Sequence, residues 1–176
     1  MKFTETSIAG AWLVTLEPRG DERGSFARSF CTAEFAAHGL ETAYVQQNVS
    51  RSTSKGTLRG MHFQLAGHAE VKLIRCAAGA IYDVLMDIRP GSSTYGAWFG
   101  AELSGDNNTQ MYAPAGVAHG FITLTDNVEV TYLNSSVYAP GQEGGLRYDD
   151  PAFNIVWPTP VTVIAPKDET WPDFQR

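Results

Sequence analysis

From residue 44 to residue 134 the chain is a series of short apolar segments, each closed by glycine, proline or asparagine. The segments read as strands at 44–50, 57–64, 71–77, 80–88, 97–103, 109–113, 119–123 and 128–134. Lys55-Gly56, Ala78-Gly79, Pro90-Gly91, Gly105-Asp106-Asn107 and Pro114 to Gly116 separate them. Glycine supplies positive φ and proline a fixed φ, so these pairs are turns. Many short strands at near-regular spacing bury their faces only as a β-sandwich or barrel. No stretch alternates strand with long helix, which disfavours a doubly wound α/β fold.

The flanks add little to this frame. Residues 1–16 alternate polar and apolar side chains and suit one or two edge strands. Residues 18–24 carry turn chemistry, 25–30 are a short strand candidate, and 32–39 read as a brief helix with Thr32 as N-cap and Gly39 as its stop. After Tyr138 the sequence becomes loop-rich, and its tryptophans and prolines point to a tail packed over the barrel. The expectation is one all-β domain over residues 1–176, with short helices and that tail.

Charge limits the partners. Thirteen basic and nineteen acidic residues give −6, and the basic ones are scattered, so a nucleic-acid-binding face is not expected. No apolar run approaches a membrane span, and the first residues lack a signal-peptide core, so a cytoplasmic protein is expected. Cys31 and Cys76 lie far apart and outside any zinc spacing, as two reduced thiols would. An anionic small molecule remains open, since it needs only a local cluster of Arg and Lys.

That cluster is in residues 57–75. Arg59 offers a planar fork of donors suited to phosphate. His62 can act as a general base, worth about 10²–10⁴-fold in rate. Lys72 shares a strand face with Ile74 and Cys76 and should point inward, where an ammonium would hold an enolate oxygen. Each has a bland reading: a core histidine, a rim salt bridge, a snorkelling lysine. Three such groups close together argue against those readings. Strict alternation would put Arg59 and His62 on opposite faces, so both enter one pocket only if the strand bulges, and Gly60 is where the bulge belongs.

A second stretch, Pro114-Ala115-Gly116-Val117-Ala118-His119, turns tightly and aims His119 at the barrel mouth. It resembles the second motif of the cupin superfamily. The first cupin motif carries His-x-His, and here it reads His62-Phe63-Gln64. A metal held by His62, His119 and Glu70 is therefore a minority alternative. Tyr132 shares a strand face with Val130 and Asn134 and could return a proton to a carbanion. Tyr138 is its rival.

Taken in order, Asp21 to Gly24, Val45 to Ser50, Gly56 to Gln64, Asp83 to Arg89, Pro114 to Phe121, Tyr138-Ala139-Pro140, Glu143 and Asp150-Pro151 resemble the dTDP-4-dehydrorhamnose 3,5-epimerase family over nearly the whole chain. The resemblance implies a double-stranded β-helix, or jelly roll, of cupin type without metal or cofactor, assembled as a homodimer. It implies a nucleotide-linked 4-keto-6-deoxy sugar as substrate, inverted at carbon 3, carbon 5 or both. The catalytic positions fall on His62 as base, Tyr132 as acid, Lys72 beside the enolate and Asp168 as partner of the base. Substrate contacts fall on Arg23, Arg28, Gln46, Asn48, Arg59, His119, Tyr138, Glu143 and Lys167.

The chain departs from the family pattern at Arg28, where a glutamate is common, at Gln47, where an aspartate is common, and at Leu133, often a lysine. Three other readings compete: a ketosugar isomerase on the same fold, a metal-dependent cupin using His62 and His119, and a sugar-nucleotide binding module.

Overall fold

A computed structural model describes residues 1–175. Two antiparallel sheets face each other as a jelly roll. The strands are β1 (Lys2–Glu5), β2 (Trp12–Thr15), β3 (Arg19–Asp21), β4 (Gly24–Phe26), β5 (Gln46–Ser52), β6 (Leu58–Gln64), β7 (Lys72–Ala78), β8 (Ala80–Asp87), β9 (Trp98–Ser104), β10 (Thr109–Ala113), β11 (Val117–Thr123), β12 (Val128–Asn134) and β13 (Glu143–Gly145). One sheet has the order β1-β2-β10-β7-β12-β5 and the other β13-β6-β11-β8-β9. Strands β3 and β4 form a separate hairpin.

The period-2 pattern explains the layers. Ile74 and Cys76 on β7, Met111 on β10 and Val130 on β12 meet Leu85 on β8, Leu103 on β9 and Phe121 on β11 between the sheets, all essentially inaccessible. Burying each aliphatic side chain of this kind contributes about 2 kcal/mol. The intervening residues of the second sheet face the other way. Met61, Val84, Met86 and Ala118 pack under Phe153, Trp157 and Phe174. The tail thus covers the outside of the second sheet, as its apolar content suggested. Helix α1 (Thr32–Ala37) covers the first sheet through Phe35, beside Val14, Leu73 and Tyr112.

Some local expectations are corrected. The helix is capped by Cys31, not Thr32: Cys31 is extended and its carbonyl already accepts from Phe35 N–H. Gly39, at φ +67°, follows the helix as its stop. The strand expected at 25–30 is only β4, because the turn-rich residues before it become β3 and a tight hairpin. The short β13 and helix α2 (Pro166–Glu169) were not expected. Among the described residues no helix is long and apolar enough to cross a membrane.

The second sheet departs from regular pairing at one place. Strand β11 pairs His119 with His62 and Phe121 with Arg59, so β6 spends one extra residue between the two pairs. The bulge falls at Gly60-Met61. Gly60 has φ +119°, and a Cβ there would sit 2.5 Å from Gly120 Cα. Only a residue without a side chain permits that backbone approach. The extra residue cancels the alternation and turns Arg59 and His62 to the same inner face.

Candidate active site

Along β7 and β12 the inner face changes from apolar to polar. Cys76 and Ile74 belong to the core, and the next inward residue on β7 is Lys72. On β12 Val130 is followed inward by Tyr132 and Asn134. With the bulged β6 opposite, these residues line a cleft of roughly 510 Å³.

The cleft brings together His62, Lys72, Tyr132, His119, Arg59, Gln46, Asn48, Tyr138 and Glu143. His62 Nε2 donates to Asp168 Oδ1 at 2.6 Å, while Gly60 N–H donates to the other carboxylate oxygen at 3.2 Å. With Nε2 donating, the lone pair of the neutral ring lies on Nδ1. Burial pushes the Asp168 carboxyl up, but the hydrogen bond and charge of His62, together with Gly60 N–H, outweigh it and hold it below the usual carboxylate range. Asp168 is delivered by α2, tethered through the bridge between Thr57 and Val163.

His119 has a similar partner. Its Nε2 donates to Asp83 Oδ1 at 2.7 Å, with both side chains buried. The His119 ring stands edge-on to Tyr132, centroids 6.0 Å apart. Burial pushes the Tyr132 phenol well above its ordinary value, and the Asp83 charge adds to this, so the hydroxyl keeps its proton across the neutral range. Lys72 Nζ lies 3.1 Å from Glu70 Oε1. Arg59 donates to Ser52 Oγ and to the Arg51 carbonyl, which fixes its guanidinium at the cleft wall.

At the mouth, Glu143 accepts from Lys167 and from the Tyr138 hydroxyl. The Lys167 ammonium, then the Tyr138 hydroxyl, hold the Glu143 carboxyl below its usual value. Arg23 and Arg28 are not brought to the cleft. Arg23, with its side chain 84% exposed, pairs with Asp21 on the β3–β4 hairpin. Arg28 pairs with Glu34 of α1.

Sequence reasoning missed Asp83 and Asn134. Asp83 had a readable signal, since a carboxylate inside the apolar run of β8 must have a partner. Both histidines spend Nε2 on a carboxylate. Among the described residues no three of His, Cys, Asp and Glu converge in a metal-holding group.

The arrangement holds an imidazole with a free ring nitrogen, a neutral phenol and an ammonium around one cavity. Such a set can move protons on and off a carbon next to a carbonyl.

Comparison with known proteins agrees in one direction. The sequence model of a family described as dTDP-4-dehydrorhamnose 3,5-epimerase matches residues 5–176. A dTDP-4-dehydrorhamnose 3,5-epimerase of Sinorhizobium fredii is 43% identical over 175 residues, 99% of this chain and 90% of that protein. The crystal structure of the enzyme of that name from Bacillus anthracis, with TDP and PPi bound, superposes with a TM-score of 0.95 at 38% identity, covering 98% of this chain and 99% of that one. A 3'-monoepimerase from Streptomyces bikiniensis, in complex with dTDP-quinovose, superposes with a TM-score of 0.89 at 35% identity, covering 96% and 85%.

Proposed function

Since the chain belongs to the dTDP-4-dehydrorhamnose 3,5-epimerase family and is a sugar nucleotide epimerase, we propose that it converts dTDP-4-keto-6-deoxyglucose to dTDP-4-dehydrorhamnose by two proton exchanges. His62 Nδ1 takes the proton from the carbon next to the ketone. The electron pair moves onto the ketone oxygen, and the enolate is held by Lys72 Nζ, with His119 beside it. Tyr132 gives its proton to the opposite face of the same carbon, which inverts it. The proton on His62 and the vacancy on Tyr132 are then made good from solvent, and the cycle repeats at the second carbon.

The other residues bind or orient. Asp168 fixes the His62 tautomer through Nε2. Arg59 meets the diphosphate. Gln46, Asn48, Tyr138, Glu143 and Lys167 meet the rest of the nucleotide sugar. Anchoring at these remote groups supplies the binding that holds the ring between base and acid. The single observation that carries the reading is that His62, Lys72 and Tyr132 line one cleft, with Asp168 behind the imidazole.

The working unit in this reading is a homodimer. The resemblance assigns Arg23 and Arg28 to the substrate, yet both lie outside the cleft of their own chain. The hairpin that carries Arg23 also exposes Phe26 to 78%. A second copy that receives this hairpin would reconcile the two facts.

The test is proton exchange. The protein is incubated with dTDP-4-keto-6-deoxyglucose in deuterated water, and the sugar protons are followed by NMR. Deuterium enters carbons 3 and 5, and the product has both centres inverted. A folded sample that exchanges neither proton overturns the proposal.

A further inference from the structure

A line of polar side chains runs from Lys72 to the loop that carries Tyr138. Lys72, Asn134 and Gln46 stand side by side in register on β7, β12 and β5. Tyr138 N–H donates to Gln46 Oε1 at 3.0 Å, Gln46 Nε2 donates to Asn48 Oδ1 at 3.1 Å, and Asn48 Nδ2 donates to Asn134 Oδ1 at 3.4 Å. Asn134 Nδ2 then donates to Glu70 Oε2 at 2.7 Å, and Lys72 Nζ meets Glu70 Oε1 at 3.1 Å. Each amide accepts from one neighbour and donates to the next. The direction of the whole line is set at its end, where an ionised carboxylate can only accept.

Glu70 lies in the loop just before β7, and its side chain is 10% exposed, that of Lys72 15%. A lysine stem is flexible, and in an open cleft its ammonium would otherwise swing toward water. One of its three N–H groups is spent on Glu70, which leaves two for the cavity. A buried ion pair contributes little net stability, because desolvation offsets its attraction. Fold maintenance is therefore a weak reason for placing a carboxylate here. Preorganising a donor before charge develops is a strong one.

We propose that Glu70 is the positioning residue for Lys72: it fixes the ammonium where the enolate oxygen forms, and the amide line through Asn134 and Asn48 to Gln46 fixes Glu70. This rests on the enolate-holding role of Lys72. Glu70 itself touches no reacting atom in this assignment. Its removal should therefore slow turnover while leaving substrate affinity in place, and only while Lys72 is present.

The experiment compares the parent with Glu70→Gln, Glu70→Leu, Lys72→Met and the Glu70→Leu/Lys72→Met pair, each checked for folding by circular dichroism and Tm. The readouts are kcat and KM for deuterium incorporation into the sugar. Glu70→Leu should lower kcat by about tenfold or more with KM within about threefold. Glu70→Gln should fall between parent and Leu, because its amide oxygen serves one of the two donors and its NH₂ opposes the other. In the Lys72→Met background Glu70→Leu should change kcat by less than about twofold. The double variant, which removes both charges, should recover Tm lost in Glu70→Leu. Parent-like kcat in Glu70→Leu, a loss confined to KM, or an equal loss with and without Lys72 overturns the proposal for Glu70. A Lys72→Met protein as fast as the parent instead overturns the role of Lys72, and this one with it.

Discussion

His62 Nε2 and Asp168 Oδ1 lie 2.6 Å apart although 106 positions separate them in the chain. Replacing Asp168 by Asn offers an acceptor or a donor in place of a charge, and lets the ring rotate or change tautomer. Proton exchange should fall by about 10²–10⁴-fold, with KM nearly unchanged. NMR-monitored exchange and a substrate titration check both halves of the statement. A decrease in binding alone would contradict the assigned role.

Tyr132→Phe should separate proton removal from inversion. His62 still takes a proton, but only His62 can return one, and it does so on the face it took it from. The expected product is starting sugar carrying deuterium, with epimer formation reduced by at least about a hundredfold. Integration of exchanged substrate against epimer measures the split.

Gly60→Ala should damage both fold and site. The new Cβ would lie 2.5 Å from Gly120 Cα and 2.8 Å from the His119 carbonyl oxygen, at φ +119°. A loss of about 3 kcal/mol is expected. Chemical denaturation reads the stability, and exchange kinetics of the folded fraction read the misplaced His62 and Arg59. Gly67→Ala, at another positive-φ glycine with nothing within 4 Å of a new Cβ, should do far less.

Asp87 sets an acid limit on the fold. Its buried carboxylate accepts from Arg89 N–H, Nε and Nη2 and from the hydroxyls of Ser92 and Thr94. Burial pushes the carboxyl up, but these hydrogen bonds outweigh it and hold it far below the ordinary 3.8. A folded value below the unfolded one contributes stability above pH 3.8 that is lost as the pH falls toward the folded value. Asp87→Asn should therefore cost about 3 kcal/mol at pH 7. The gap between parent and variant should narrow below pH 3.8, as urea unfolding at pH 7, 3.5 and 2.5 would show.

If a second copy supplies Arg23, two dead proteins should rescue each other. Arg23→Ala and His62→Asn are each expected to be nearly inactive. Mixed after dissociation and reassociation, they should regain up to about a quarter of the parent rate, since half the dimers are mixed and each holds one complete site. Size-exclusion chromatography with light scattering checks the dimer directly. Absence of rescue in a sample proven to contain mixed dimers counts against the shared site.

The strands were legible because alternating burial writes itself into the residues: Ile74, Cys76, Val130 and Phe121 all point where the pattern puts them. The bulge was legible too, from a glycine between Arg59 and His62, which can share a face only if the strand bulges there. The β13 strand was not, because Glu143-Gly144-Gly145 has no β-branched or aromatic residue and is held by pairing with β6 alone. Helix α2 is a single turn with no side-chain cap, and no periodicity marks four residues. The Asp83–His119 pair and the amide line ending at Glu70 depend on register across strands distant in sequence, which no local pattern encodes.

The C-terminal tail crosses the outside of the second sheet before α2 delivers Asp168 beneath His62. The cleft wall is therefore assembled from residues before 146, while the carboxylate paired with His62 leaves the ribosome after all of them. A polypeptide stopped short of α2 would contain every residue that lines the cleft and lack the carboxylate that pairs with His62. In the proposed mechanism, activity therefore depends on synthesis carried through α2, the last of these elements to be made.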